Sequence, residues 1–227
     1  MIAHGGRGPA RPTVVKVCGI TRGEDATWAL RCGADWLGFI VRGESPRLIA
    51  PEQAAAIVDA ARVAVPERAW SAVAVMVGAT PEVALELARR AHAERVQLHG
   101  VSAASWPRDF PLPCAFAVGV TTDGALAGEE PPQGHLLMLD TAVAGRSGGS
   151  GEAWPWSAAR AIVSRRDVLL AGGLSGENVA DAVRLLHPFG VDASSRLESR
   201  PGAKDPERVR RFVEAVRACE AGAEQAR

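Results

Sequence analysis

The stretch VVKVCGIT, residues 14–21, begins the pattern that decides the fold of this chain. Its first four residues form an apolar, β-branched run typical of a buried strand, and Cys18 and Gly19 end that run in a turn. A thiol in this place opens onto the edge of the sheet that the strand joins. Because cysteines at strand ends are often small buried hydrophobes, the stretch alone leaves a structural and a chemical role open.

Similar apolar runs recur along the whole chain and indicate eight strands. The runs are residues 14–17, 36–41, 72–77, 95–98, 114–120, 136–139, 168–171 and 191–193. Most are followed by a segment with helical spacing, and several of these segments begin with proline, as helices often do. The clearest are residues 51–62, 81–93, 177–186 and 205–218.

Apolar strands that alternate with helices predict a parallel sheet covered on its outer face. Eight such repeats in 227 residues favour a single α/β domain, a closed (β/α)₈ TIM barrel, over an open doubly wound sheet. Residues 102–106 and 122–128, after the fourth and fifth strands, are too short or too rich in glycine for a clear helix. The sequence therefore leaves open whether this region has one helix more or fewer.

The predicted domain boundaries follow from composition. Residues 1–12 are rich in Gly, Arg and Pro without the apolar core of a secretory signal, so we expect a disordered N-terminal segment. Residues 13–220 form the barrel, and residues 221–227 form a C-terminal tail. No apolar run is long enough to cross a bilayer.

The overall charge indicates which partners to expect. The chain is 47% hydrophobic and 23% charged, with a formal net charge of +0, so it has no basic field for nucleic acid and no one-sided charge for a membrane. We therefore expect a small-molecule partner. The four cysteines contain no C-x-x-C pair and no zinc-type cluster, which argues against a disulfide framework or a metal and fits a cytoplasmic protein.

In a barrel of this kind, the residues that end each strand line the active site. Cys18 ends the first strand and Asp140 ends the sixth, so the two would face each other across the barrel mouth. An isomerisation by proton transfer needs one group that takes a proton and one that delivers a proton, which is what a thiol and a carboxyl provide. Asp140 is equally explained as a turn or cap residue before Thr141.

Two small loops predict a phosphate site beside that pair. Gly172 and Gly173 follow the seventh strand, and Ser194 and Ser195 follow the eighth, where TIM barrels commonly bind phosphate through backbone N–H groups. The two glycines alone would also suit a tight turn. A further glycine-rich segment, residues 145–151, lacks the Gly-Lys-Ser/Thr ending of a P-loop and is interpreted as a mobile loop that folds over substrate.

Three further side chains near strand ends have open roles. Arg47 suits a surface position or the two-bond grip of a carboxylate. His99 suits a buried, satisfied position or a substrate contact. Lys16 points beside Cys18 or away from it, depending on register, and a lysine beside the thiol would favour the thiolate.

From about residue 14 to about residue 216, the motifs of the chain together resemble phosphoribosylanthranilate isomerase, an enzyme family of the tryptophan pathway. The motifs are KVCGIT at 16–21, SPR at 45–47, QLHG at 97–100, LMLD at 137–140, AGGL at 171–174 with ENV at 177–179, and VDASS at 191–195 with PGAKD at 201–205. The resemblance implies a cofactor-free Amadori rearrangement of N-(5-phosphoribosyl)anthranilate. It also implies that Asp140 is the general acid and Cys18 the general base.

The same resemblance implies that Arg47 and His99 contact the substrate and that the phosphate lies against Gly172, Gly173, Ser194, Ser195 and Arg196. The family usually has glycine where this chain has Arg196. Arg196 therefore adds a phosphate contact, turns outward to pair with Glu198 or another acid, or weakens the site. Two other functions are considered: the related isomerase of histidine biosynthesis, and a barrel that binds a phosphosugar without turnover.

Overall fold

The computed structural model describes residues 11–121, 125–143, 146–147 and 156–225, which include a closed barrel of eight parallel strands. The barrel strands are β1 (Val14–Cys18), β2 (Trp36–Arg42), β3 (Ser71–Val77), β4 (Arg95–His99), β5 (Cys114–Val120), β6 (Leu136–Val143), β7 (Val168–Leu170) and β8 (Gly190–Ala193). Each strand pairs in parallel with the next, and β8 pairs with β1, which closes the ring. This confirms the predicted (β/α)₈ barrel, and every predicted run overlaps its strand.

Helices cover the outside of this ring. They are α1 (Gly23–Cys32), α2 (Pro51–Ala64), α3 (Pro81–Arg90), α4 (Arg160–Val163), α5 (Val179–Leu186) and α6 (Pro206–Gln225). Proline occupies the first turn of α2 and α3, where its missing N–H has no helical partner to lose. Leu30, Phe39 and Phe212 are fully buried in the apolar layer between strands and helices. None of the described helices combines the length and the apolar character that a membrane span requires.

The last helix extends past the predicted end of the barrel domain. Helix α6 continues to Gln225, so the boundary placed at residue 220 lies inside a helix. Residues 219–225 are mostly alanine, glutamate and glutamine, which are strong helix formers even without an apolar face. Residues 1–10, which belong to the segment predicted to be disordered, lie outside the described residues.

The fourth and fifth connections lack an α-helix within the described residues. A single 3₁₀ turn, Ala103–Ser105, follows β4, and a two-residue strand, Leu126–Ala127, folds back antiparallel on the end of β5. The indole of Trp106 fills the space beside β5, with its ring 5.6 Å from that of Phe116. Aromatic packing therefore covers the barrel where the sequence pattern for a helix is weak.

Candidate active site

Strand β1 brings a lysine and a cysteine into the barrel together. Side chains two residues apart on a strand share a face, so Lys16 and Cys18 both point inward, which resolves the open question of register. Lys16 has no solvent-exposed surface, and Cys18 is 6% exposed. Across the strand pair, Lys16 lies directly opposite Asp192 of β8, and its Nζ donates to Asp192 Oδ1 at 2.9 Å.

Gly38 of β2 provides the space that these two side chains occupy. It pairs with Cys18 in the sheet. A Cβ added to Gly38 would lie 2.8 Å from Cys18 Sγ and 3.0 Å from Lys16 Nζ, both too close for ordinary packing. The thiol and the ammonium group therefore lie side by side above a position where only glycine fits without displacement.

Opposing effects act on the Cys18 thiol. Burial raises its pKa, while the ammonium groups of Lys16 and Lys204 favour the thiolate and oppose that rise. The Asp192 carboxylate acts in the same direction as burial. The net result is a raised pKa, so Cys18 is held mainly as the thiol at neutral pH.

Asp140 reaches the barrel mouth on β6. It pairs with Gly119 of β5, and by strand alternation it points inward with Leu136 and Met138, which line the barrel interior. Its side chain is half-buried. Because β6 and β1 are three strands apart around the ring, Asp140 and Cys18 approach the mouth from different sides.

Arg47 makes its two-bond contact with a carboxylate of the protein itself. Its Nε and Nη2 each donate to Glu198 at 2.7 Å. Lys204 Nζ donates to the same carboxylate at 2.9 Å and to the Ser194 carbonyl at 3.2 Å. Gly19, with φ +74°, allows this arrangement, since a Cβ there would lie 2.5 Å from Arg47 Cδ.

Sequence reasoning missed the roles of Asp192, Glu198 and Lys204, although all three lie in or beside quoted motifs. Glu198 and Lys204 face each other across a short antiparallel ribbon, Glu198–Arg200 with Ala203–Lys204. Both side chains are almost completely buried. Their burial was the missing information, because charged residues near a chain turn ordinarily remain in solvent.

The predicted phosphate loops lie side by side after β7 and β8. Gly172 and Gly173 have φ of +87° and +66°, which a side chain would strain. Asn178 holds the first loop, since its Oδ1 accepts from Ser175 N at 2.8 Å and its Nδ2 donates to the Gly173 carbonyl at 3.0 Å. In the second loop, Ser194 precedes the 3₁₀ turn Ser195–Leu197.

Arg196 lies within that 3₁₀ turn and is exposed. The described non-glycine residues with positive φ are His92 and His187, so Arg196 adopts a conventional backbone conformation. The Glu198 carboxylate, suggested as its partner, is bound by Arg47 and Lys204. The charge of Arg196 acts on Glu177, whose pKa is lowered mainly by its hydrogen bond with Ser175.

His99 ends β4 facing the interior. Its Nε2 accepts from the Gln97 amide nitrogen at 2.8 Å, which puts the ring proton on Nδ1. Burial, helped by the charge of Lys16, lowers the pKa of His99 to about 4. His99 is therefore neutral at physiological pH, as a hydrogen-bonding group and not as a cation.

The structure also describes the cysteines, the metal-ligating side chains and part of the glycine-rich loop. All four cysteines are free. Within the described parts of the chain, no group of three or more His, Cys, Asp or Glu is placed to hold a metal ion. The loop predicted at residues 145–151 lies mostly outside the described residues; of it, Arg146–Ser147 pair antiparallel with the end of β6.

Comparisons with known proteins agree with this geometry. Residues 15–215 match the family described as N-(5'phosphoribosyl)anthranilate (PRA) isomerase. The N-(5'-phosphoribosyl)anthranilate isomerase of Trichlorobacter lovleyi is 38% identical over 200 residues, which cover 88% of this chain and 95% of that protein. The crystal structure of phosphoribosyl anthranilate isomerase from Thermotoga maritima is 31% identical, with a TM-score of 0.78 and coverage of 91% and 99%.

A second solved structure of this kind holds a ligand. It is phosphoribosyl anthranilate isomerase in complex with reduced 1-(o-carboxyphenylamino)-1-deoxyribulose 5-phosphate. It is 30% identical with a TM-score of 0.72, and it covers 91% of this chain and 99% of its own. The family match, residues 15–215, reaches all eight strands of the barrel. The chain belongs to the phosphoribosylanthranilate isomerase family.

Proposed function

We propose that the barrel mouth converts N-(5-phosphoribosyl)anthranilate to 1-(2-carboxyphenylamino)-1-deoxyribulose 5-phosphate, with Asp140 as general acid and Cys18 as general base. As a member of its family, the chain is an aldose–ketose isomerase of tryptophan biosynthesis. The observation that carries the assignment of residues is that Cys18 ends β1 and Asp140 lies in the C-terminal half of β6, near the phosphate loops; β6 continues to Val143, past the predicted strand end at Asp140. The histidine-pathway isomerase and the non-catalytic barrel have no comparable support.

Asp140 and Cys18 each make one proton transfer, and a tautomerisation then completes the reaction. Asp140 gives its proton to the ribose ring oxygen, and the C1′–O bond breaks to leave a protonated Schiff base. The Cys18 thiolate then takes the proton from C2′, and the electron pair of that bond moves to form the enolamine. Tautomerisation of the enolamine gives the ketose. Neither step requires a group from outside the chain and its substrate.

The contacts of Arg47 support a more specific proposal for its role. Its Nε and Nη2 are engaged by Glu198, so the guanidinium is held rigidly with its plane fixed. We assign the anthranilate carboxylate to the remaining nitrogen, Nη1, and His99 to a neutral hydrogen bond with substrate from β4. A guanidinium that is already oriented loses little freedom when substrate binds.

The phosphate is assigned to the backbone of Gly172, Gly173, Ser194 and Ser195, with the exposed Arg196 at the rim. Adjacent loops after the last two strands are the usual phosphate site of TIM barrels. The balanced net charge of the chain fits a small phosphorylated substrate, in the cytoplasm, without nucleic acid or membrane as partner.

Turnover of N-(5-phosphoribosyl)anthranilate by the purified chain and by Asp140→Asn tests the proposal. Asparagine keeps the shape of the side chain but has no acidic proton to give. Asp140→Asn should bind a reduced product analogue about as tightly as the parent and lose at least about a hundredfold in kcat. Weakened binding with unchanged kcat would show that Asp140 positions substrate and is not the acid. Growth of a tryptophan auxotroph lacking this isomerase should require the parent gene.

A further inference from the structure

The chain contains two lysines, and both are buried: Lys16 beside Cys18, and Lys204 on the ribbon after β8. Every other cation among its 26 Lys and Arg residues is arginine. Lys16 is 0% and Lys204 is 3% exposed, and the charge of each acts on the Cys18 thiol. Burying an ammonium group is costly unless its charge is matched. Two buried lysines at one thiol therefore indicate a requirement for positive charge there.

The carboxylates around these lysines are too few to balance the positive charges unless the thiol is ionised. Lys16 pairs with Asp192, and both Lys204 and Arg47 pair with Glu198. We call these five side chains the charge cluster. It holds three cations and two carboxylates, so it has one positive charge in excess. All five side chains are at most 18% exposed, which leaves that charge little screened by water.

The charge cluster comes from several elements around the thiol. Lys16 lies on β1, Asp192 on β8, Arg47 in the loop after β2, and Glu198 and Lys204 on the ribbon after β8. His99 on β4, whose pKa is lowered by burial and by the charge of Lys16, is neutral, and Asp140 of β6 faces the thiol from the other side of the barrel mouth. An ionised Cys18 would bring the group to neutrality, whereas a protonated Cys18 leaves one cation unmatched.

We propose that the excess positive charge of this cluster is the counter-charge against which Cys18 ionises, and that Lys16 and Lys204 are positioning residues for the base. The inference rests on the proposed role of Cys18 as general base. Asp192 has two effects in this arrangement: it holds the Lys16 ammonium beside the thiol, and its own negative charge opposes the thiolate. Lysine suits the place because its charge is compact and Gly38 leaves room for a single ammonium group.

The proposal predicts that removing a cation and removing a carboxylate move the titration midpoint of Cys18 in opposite directions. The thiolate is titrated by its ultraviolet absorbance, as the difference between each protein and the same protein carrying Cys18→Ser, which removes the other three cysteines from the signal. Lys16→Met and Lys204→Met should move the midpoint to higher pH, and Asp192→Asn should move it to lower pH. A purely structural role for these residues predicts no such change of sign. Unchanged midpoints, or shifts in one direction for all three, would overturn the proposal.

The three variants differ in their risk to folding. Lys16→Met leaves Asp192 buried without its partner and can fail to fold, which circular dichroism would show. Asp192→Asn removes the carboxylate partner of Lys16 but keeps an oxygen that can accept its hydrogen bond, and circular dichroism checks that variant too. Lys204→Met leaves Glu198 paired with Arg47 and carries the smallest risk, so its midpoint tests the proposal even where the other two variants do not fold. Arg184→Met is the control, because this cation on α5 is exposed and pairs with Asp181 far from the thiol. It should leave the midpoint unchanged.

Activity measurements distinguish a failure of this proposal from a failure of the proposed function. For Lys16→Met, kcat/KM at neutral pH should fall about ten- to a hundredfold and recover as the pH rises and the thiol ionises. A Cys18→Ser variant that keeps full kcat would overturn the base assignment whatever the titration shows. An inactive Cys18→Ser variant together with unmoved midpoints would overturn the counter-charge alone.

Discussion

Cys18 and Cys114 are equally buried in one barrel, yet they meet different surroundings. Cys18 is 6% and Cys114 is 5% exposed. Cys18 ends β1 beside the charge cluster, whereas Cys114 begins β5 in the outer apolar layer, where its Sγ donates to the Leu112 carbonyl at 3.3 Å. Burial raises the pKa of Cys114 to about 12. The two thiols share the effect of burial, and of the two only Cys18 has cations that oppose it.

The two ends of the barrel interior also differ in how they hold cations. At the N-terminal end, the Arg95 guanidinium stacks 4.5 Å from the ring of Trp36, a contact that requires no carboxylate. At the C-terminal end, cations pair with Asp192 and Glu198 within hydrogen-bonding distance. The first arrangement packs an end of the barrel, and the second sets an electrostatic field at its mouth.

The largest effect should come from exchanging Cys18 for serine, compared with the same exchange at Cys114. Cys18→Ser leaves a hydroxyl that is too weakly acidic to ionise near neutral pH, so kcat should fall by at least about a hundredfold. Cys114→Ser is the matched control and should keep kcat near that of the parent, with any cost confined to thermal stability. Steady-state kinetics of both variants measure this. Equal losses of kcat, or near-parental kcat in Cys18→Ser, would remove the distinction between the two thiols.

A smaller effect is expected from Gly38→Ala, which sharpens the comparison by disturbing only the Cys18 side. The added methyl group would displace Cys18 Sγ and Lys16 Nζ from their common position. We expect about a tenfold loss of kcat and a loss of about 1–3 kcal/mol in the free energy of unfolding, typical of overpacking.

Gly23→Ala is the control for that variant, since a Cβ on this helical residue meets no atom within 4 Å. Alanine there should leave kcat unchanged and leave stability equal or slightly higher. Denaturant unfolding and kinetics of the two variants decide the matter. Parental kcat in Gly38→Ala would mean that the close placement of thiol and ammonium is not needed.

The smallest effect should come from Arg196→Gly, at the rim of the site and away from both thiols. Because Arg196 is exposed and conventional in backbone conformation, we expect at most a few-fold rise in KM, from the loss of one charge near the phosphate, with kcat unchanged. KM for the phosphorylated substrate is the measurement. A clear gain in kcat/KM would show that arginine impairs the phosphate site.

The barrel could be predicted because each strand is a continuous apolar run with its own turn. The candidate site could be predicted only where a residue ends such a run, as Cys18 and Asp140 do. The charge cluster could not, because its pairs join residues as far apart as Lys16 and Asp192, 176 positions along the chain. Arg47 and Glu198 are likewise 151 positions apart in the chain. Contacts of this kind depend on strand register and closure of the ring, which local pattern does not contain.

The most direct test of the contrast between the two thiols is the pH dependence of their alkylation in a single sample. Iodoacetamide reacts with the thiolate, and peptide mass spectrometry reports Cys18 and Cys114 separately. Because both side chains are equally buried, the midpoints of the two pH curves compare ionisation more directly than access. The account predicts that Cys18 reacts with a midpoint at clearly lower pH than Cys114, and that Lys16→Met narrows the gap. Coincident midpoints, or a lower midpoint for Cys114, would contradict it.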